Sequence, residues 1–188
     1  MTQEQIITRL QAGNARYMAD QNERKLQDLD RRAALTAGQD PYAIILSCAD
    51  SRVVPELAFD AGLGELFVVR VAGNVANSSS IASIEYAVAN IGSPVIVVLG
   101  HESCGAVTAA FAGGDNGYNL NHLLAHISPA LHAAEEGASV NEIVKVNAEK
   151  NAEELVNRSA IIRGAVDSGK LKIVPAYYNL ESGKIDFL

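Results

Sequence analysis

The sequence predicts an α/β fold, with a mostly parallel central sheet flanked by helices and preceded by an N-terminal helical arm. Short continuous apolar runs are typical of strands that are covered on both faces. Helical segments separate these runs, as the connections between parallel strands require. The 188 residues suffice for one core. We therefore expect a single domain over residues 1–188, with the arm at 1–38 and the α/β core at 39–188.

Apolar residues at helical spacing predict two helices in the arm. The first contains Ile6, Ile7 and Leu10, and the second is a charge-rich helix over Asp20–Leu35. An amphipathic arm must cover an apolar surface. It either packs on its own domain or embraces a neighbouring subunit.

Four apolar runs predict the parallel strands, and they span residues 42–47, 66–71, 95–99 and 171–178. Pro175 lacks an N–H group, which places the fourth strand at an edge or at a bulge. Gly183 indicates a turn into an antiparallel edge strand over residues 184–188. The expected sheet thus has four parallel strands and one antiparallel strand.

The helices between these strands are predicted at residues 54–59, 79–89, 106–111, 120–134 and 139–166. Ser139 and Glu142 have the spacing of a capping box at the start of the last helix. We expect that helix to break or bend near Arg158–Ser159.

Composition argues against several classes of protein. The formal net charge of −7 disfavours binding to nucleic acid. The longest apolar stretches, such as Val95–Leu99, are too short to span a bilayer. The N-terminus does not resemble a secretory signal, and two cysteines do not make a disulfide framework. We therefore expect a cytoplasmic protein with no membrane partner.

Two of the predicted strands end in residues that suit a metal ion. The first strand continues into Cys48, and the third is followed by His101 and Cys104. The carboxyl ends of parallel strands meet at the same edge of a sheet, so these side chains should converge there. Two thiolates and one imidazole suit zinc and leave a fourth coordination position open. The sequence therefore predicts a zinc site at this edge.

Asp50 and Arg52 follow the first of these strands directly. Arg52 could hold Asp50 ionised through a bidentate contact, or the two could form a surface ion pair of little consequence. Asp50 could accept a hydrogen bond from a metal-bound hydroxide or bind the metal as a fourth ligand. The remaining histidines are expected to be surface or cap residues, and they are His122, His126 and His132.

Several motifs, in this order and at these spacings, resemble the β-class carbonic anhydrases. They are Cys-Ala-Asp-Ser-Arg at 48–52, Gly-Glu-Leu-Phe-Val-Val-Arg-Val-Ala-Gly-Asn at 64–74, Ser-Ile-Glu-Tyr at 83–86 and Gly-His-Glu-Ser-Cys-Gly-Ala at 100–106. The similarity extends from about Gln39 to Leu180. It implies zinc-dependent, reversible hydration of carbon dioxide to bicarbonate and a proton, through a zinc-bound hydroxide.

The resemblance also implies roles for single residues. Cys48, His101 and Cys104 match the zinc ligands, and Asp50 and Arg52 match the catalytic pair. Four further positions match residues that bind or surround the substrate, namely Gln39, Phe67, Tyr86 and Gly105. In this family a second subunit completes the substrate channel, so the resemblance implies a homodimer or a dimer of dimers.

Two other functions are compatible with the same residues. Hydrolysis of carbonyl sulfide or carbon disulfide would use the same zinc site, because these linear molecules differ little in shape from carbon dioxide. A non-catalytic zinc module would be closed by Asp50 as the fourth ligand.

Overall fold

A computed structural model of the chain describes all residues from Met1 to Leu188. Its centre is a five-stranded sheet in the order β2-β1-β3-β4-β5. The strands are β1 (Ala43–Ser47), β2 (Leu66–Arg70), β3 (Val95–His101), β4 (Lys172–Tyr178) and β5 (Ile185–Phe187). The first four are parallel, and β5 is antiparallel to β4. The predicted fold class is confirmed.

Nine α-helices surround this sheet. They are α1 (Gln3–Met18), α2 (Leu29–Ala34), α3 (Pro55–Ala58), α4 (Ser78–Tyr86), α5 (Gly105–Ala112), α6 (Tyr118–Ala125), α7 (Ser128–Ala133), α8 (Val140–Arg158) and α9 (Ala160–Asp167). Short 3₁₀ segments lie at Leu35–Ala37 and Ala72–Asn74, and a π-helical turn lies at Ala87–Ile91. None of the helices combines the length and the apolar character that a membrane crossing requires.

The two central strands bury both of their faces. Ile45 of β1 packs against the side covered by α1 and α3, whereas Ile44 and Leu46 pack against the side covered by α4, α8 and α9. All three side chains are fully buried. This two-sided burial explains why the strands read as unbroken apolar runs.

The expectation that Pro175 marks an edge strand or a bulge is wrong, because β4 lies between β3 and β5. Pro175 pairs regularly with Val98 of β3. On the other side its carbonyl accepts the Leu188 N–H at 2.9 Å, one residue beyond the end of β5. The missing proline donor therefore costs the sheet one bond outside the regular ladder.

The N-terminal arm packs on its own chain. Ile6 and Leu10 of α1 are buried against the sheet. The predicted second helix is wrong in extent, since only Leu29–Ala34 is α-helical. Positive φ angles at Asp20, Arg24 and Leu26 interrupt the helical path. Charge-rich spacing over 20–28 therefore belongs to an irregular segment.

The last predicted helices are divided at recognisable points. The segment 120–134 forms α6 and α7, with a proline in the first turn of α7. The capping box of Ser139 and Glu142 at the start of α8 is confirmed. The expected break is also confirmed: α8 ends at Arg158, and the Ser159 side chain caps α9.

Candidate metal centre

Three potential metal ligands converge at the carboxyl edge of the sheet. Cys48 follows β1, His101 ends β3, and Cys104 stands at the N-cap of α5. Their donor atoms all lie within 4.8 Å of one another, and all three residues are buried. They meet because β1 and β3 are neighbours in register, with Ser47 beside Leu99.

The His101 ring is oriented for a ligand at Nε2. Its Nδ1 lies 2.9 Å from the carbonyl oxygen of Glu102, and a carbonyl can only accept, so Nδ1 carries the proton. Nε2 therefore presents a lone pair, and it has no hydrogen-bond partner although the side chain is fully buried. A buried polar atom without a partner is costly. A borderline-soft cation shared with the two sulfurs fits this position.

Cys48 is the more acidic of the two thiols. A hydrogen bond from the Cys104 thiol lowers the pKa of Cys48 and raises the pKa of Cys104. The N–H groups of Asp50 and Gly73 also point at the Cys48 sulfur, both at 3.4 Å. One thiolate is thus already stabilised by the protein, and binding of a cation would displace the second proton.

Asp50 and Arg52 form a two-pronged pair beside the cluster. Arg52 Nε donates to Asp50 Oδ1 at 2.9 Å, and Arg52 Nη2 donates to Oδ2 at 2.7 Å. These bonds hold the pKa of Asp50 well below its usual range. Oδ2 lies 3.8 Å from Nε2 of His101, so the carboxylate faces the ligands. Arg52 is about half exposed and lies on the solvent side of the pair.

Arg70 is a contact of this region that sequence reasoning did not identify. Its guanidinium donates to the carbonyl oxygens of Cys48, Asp50 and Val53 at 3.0, 2.6 and 2.9 Å. It therefore ties the loop after β1 to the end of β2. A signal was present, because a charged residue ends an apolar strand at the edge where the ligands lie.

Of the four predicted substrate-binding residues, only Gly105 adjoins the donor cluster. It is the exposed first residue of α5, directly after Cys104. Phe67 pairs with Ile44, four residues before Cys48 and about 13 Å away along the sheet. Gln39 is exposed and precedes β1 at the amino edge.

Tyr86 also lies away from the ligands of its own chain. It is the last residue of α4, which leads from the carboxyl edge of β2 towards the amino edge where β3 starts. The Ser93 hydroxyl donates to the Pro41 carbonyl before β1, which places the end of this connection at the amino edge. The Tyr86 side chain is 53% exposed.

The other histidines lie outside the donor cluster. His122 and His126 follow one another by one helical turn at α6, with ring centroids 5.5 Å apart. Burial lowers the pKa of His126. His132 is exposed on α7.

Comparison with known proteins places this arrangement in a family. The sequence model of the carbonic anhydrase family matches residues 43–185. The chain is 41% identical over 181 residues to carbonic anhydrase 2 of Mycobacterium tuberculosis, covering 93% of this chain and 87% of that protein. It is 37% identical over 183 residues to a carbonic anhydrase of Mycolicibacterium smegmatis, covering 94% and 89% of the two chains.

Solved structures show the same likeness in three dimensions. A structure of tetrameric β-carbonic anhydrases from Sordaria macrospora superposes with a TM-score of 0.76 at 25% identity, covering 99% of this chain and 98% of that one. A Coccomyxa β-carbonic anhydrase in complex with acetazolamide shares the fold, with a TM-score of 0.75 at 22% identity over 98% and 82% of the chains. The chain belongs to the carbonic anhydrase family, within its β class.

Proposed function

We propose that this enzyme hydrates carbon dioxide reversibly to bicarbonate and a proton, with zinc held by Cys48, His101 and Cys104. The observation that carries the proposal is the buried donor cluster, whose atoms lie within 4.8 Å of one another. The unpartnered Nε2 of His101 is aimed into it. When bound, zinc would supply the Lewis acidity that makes water a nucleophile near neutral pH.

Asp50 and Arg52 act beside the metal in this proposal. Because Arg52 holds both carboxylate oxygens, Asp50 remains ionised and oriented as a hydrogen-bond acceptor. The same two hydrogen bonds prevent the Asp50 carboxylate from turning towards the cysteine sulfurs. This geometry favours a site with an open fourth position over a closed structural site.

The backbone at the start of α5 contributes the second polar element. Gly105 lies in the first turn, where amide groups have no partner within the helix. No atom lies within 4 Å of the place where a Cβ would stand on Gly105, so small molecules can approach the backbone there. We assign its N–H to an oxygen of carbon dioxide or bicarbonate.

A second subunit would complete the substrate channel. Gln39, Phe67 and Tyr86 lie towards the amino edge, so they reach a donor cluster only if it belongs to a neighbour. The edge strand β2 supports such contact, because its apolar residues Leu66–Val69 are only half-buried in the single chain. The relative from Sordaria macrospora is described as tetrameric. We propose a homodimer or a dimer of dimers.

Subunit mixing tests this shared channel. His101→Ala removes a ligand and leaves the residues offered to the neighbour, whereas Tyr86→Ala does the reverse. Each variant alone is expected to be strongly impaired, and mixed dimers should regain one intact site. Chains that exchange subunits, shown by two affinity tags, without regaining activity would contradict a shared channel.

The relatives named above are carbonic anhydrases, which favours carbon dioxide over the sulfur-containing analogues as substrate.

We also propose a cytoplasmic location, because both cysteines are free and reducing compartments keep thiols available as ligands.

The central test measures zinc content and stopped-flow hydration of carbon dioxide on the same full-length sample across a pH series. We expect one zinc per chain, loss of activity on chelation and recovery on adding zinc. Full activity without zinc would overturn the proposal, as would an inability to bind zinc. Faster turnover of carbonyl sulfide than of carbon dioxide would replace the assigned substrate.

A further inference from the structure

The turn between His101 and Cys104 carries two of the three proposed ligands and has an unusual backbone. Only Glu102 and Ser103 separate the end of β3 from the N-cap of α5. Ser103 has a φ angle of 53°, in the left-handed region that residues other than glycine seldom adopt. Such a conformation persists only where the surrounding structure holds it in place.

The first contact that holds this turn comes from α8. The Ser103 N–H donates to Oδ1 of Asn141 at 2.9 Å, in the first turn of that helix. The helix is itself fixed on the sheet, because Ile143 and Val144 are buried in the same apolar cluster as Cys104. Asn141 thus supplies an acceptor at a set position for the left-handed residue.

The second contact comes from the connection between β4 and β5. The Glu102 N–H donates to the Tyr178 carbonyl at 2.8 Å. Its carboxylate Oε2 accepts the Leu180 N–H at 2.9 Å and Asn179 Nδ2 at 3.0 Å. Holding Glu102 at both ends also fixes its carbonyl, which accepts the proton of His101 Nδ1.

We propose that Glu102 and Asn141 are positioning residues for the metal site, which rests on the proposed function because it requires a metal at the donor cluster. Glu102 sets the tautomer and direction of the His101 ring, so that Nε2 points at the sulfurs. Asn141 holds Ser103 in the conformation that brings Cys104 next to His101. Both residues act through the ligands, since neither belongs to the donor cluster.

The test is the zinc dissociation constant of the full chain, measured by competition with a chromophoric chelator. Partners of metal ligands typically change metal affinity by about 10- to 100-fold when they are removed. We expect weakening in that range for Glu102→Ala and for Asn141→Ala. Glu149→Ala, which removes an exposed carboxylate elsewhere on α8, should bind zinc like the parent.

Conservative variants separate this role from general damage to the fold. Glu102→Gln keeps an oxygen that can accept both donors, because Leu180 and Asn179 bond to the same Oε2. Asn141→Asp likewise keeps an acceptor for Ser103. Both should retain zinc affinity close to that of the parent. If Glu102→Gln binds as weakly as Glu102→Ala, the hydrogen-bond account is wrong.

Cobalt(II) gives a second measurement, since its visible absorption reports coordination geometry. Asn179→Ala removes one of the two donors to the Glu102 carboxylate, so it tests the same contact if Glu102→Ala does not fold. At saturating cobalt, the spectrum of Asn179→Ala should differ from that of the parent. Folded alanine variants with parental zinc affinity and parental cobalt spectra would overturn this inference alone. A parent chain that binds neither metal would overturn the proposed function as well.

Discussion

The carboxyl edge of the sheet and the interface beneath α1 differ in how completely their buried polar side chains are hydrogen-bonded. Under α1, the buried Asn14 donates to the Ala58 and Gly183 carbonyls and accepts the Ile185 N–H. At the carboxyl edge lie all four buried side-chain atoms that have no hydrogen-bond partner, namely Ser47 Oγ, His101 Nε2 and both amide atoms of Asn74.

This difference separates stability from function. A satisfied buried amide links α1 to two distant segments and specifies how they pack. An unsatisfied one costs free energy that only a ligand or a partner can return. The edge that carries the donor cluster therefore holds buried polar atoms whose cost a ligand or a partner would offset. Each side of the comparison can be tested by substitution.

The largest effect is expected from His101→Ala, at the carboxyl edge where buried polar atoms lack hydrogen-bond partners. The change removes the imidazole that presents Nε2 to the cluster, so two sulfurs alone remain. We expect zinc content to fall from near one per chain to near zero and hydration of carbon dioxide to fall to background. His132→Ala, at an exposed histidine outside the cluster, is the matched control. Retention of tightly bound zinc by a folded His101→Ala protein would contradict the assignment of this ligand.

The next effect concerns the pair beside the cluster. Arg52→Ala removes the two hydrogen bonds that orient the Asp50 carboxylate. We expect kcat/KM for hydration to fall by roughly 10²-fold, which is typical for the loss of an oriented proton-transfer or hydrogen-bonding group. Zinc content should change little, because Arg52 is not a ligand. Arg52→Lys keeps the positive charge but cannot make the bidentate contact, so its kcat/KM should lie between those of the parent and Arg52→Ala. Unchanged kcat/KM in Arg52→Ala would rule out a catalytic role for the pair.

The sequence predicted the parts of this arrangement that depend on local pattern. Unbroken apolar runs identified β1 and β3. Because the carboxyl ends of parallel strands lie at the same edge of a sheet, the sequence alone placed Cys48, His101 and Cys104 together. Family resemblance, rather than pattern, supplied Gln39 and Tyr86.

Contacts between segments that are distant in sequence were not predictable in the same way. The bonds from Arg70 to the loop after β1 depend on which strands become neighbours, and Pro175 was misplaced because strand order is not a local property. The predicted helix over Asp20–Leu35 failed for a related reason. Periodic spacing does not reveal a positive φ angle at a residue such as Leu26.

A smaller effect is expected from Asn14→Ala, at the interface beneath α1 where the buried amide is fully hydrogen-bonded. Removal of this amide leaves three buried backbone groups without partners and should lower the free energy of unfolding by about 2 kcal/mol. Urea denaturation measures this change, and zinc content and kcat/KM of the folded protein should stay at parental values. Asn22→Ala, which removes one exposed bond to Leu57, is the control. Loss of zinc in folded Asn14→Ala would show that the two regions are coupled.

The smallest effect is a pH dependence at the junction of α1 with the irregular segment. Burial acts to raise the pKa of Asp60, but bonds from the Glu23 N–H, the Arg16 side chain and the Arg24 N–H outweigh it, so the pKa is lowered. A carboxyl group whose pKa is lower in the folded state stabilises the fold above its unfolded pKa of 3.8. That contribution is lost as the pH falls through the folded pKa. Because Arg16 is partly exposed, we expect it to be about 1 kcal/mol.

Asp60→Asn isolates this contribution as a difference between two proteins. Urea denaturation at neutral pH should show the parent to be more stable than Asp60→Asn, and the gap should narrow steadily below about pH 4 as the parent's carboxylate takes up a proton. Asp167→Asn removes an exposed carboxylate outside this network and controls for the change in net charge. A gap that stays constant with pH would mean that Asp60 acts through shape and neutral hydrogen bonds. The irregular segment would then be held by packing rather than by the charge of one carboxylate.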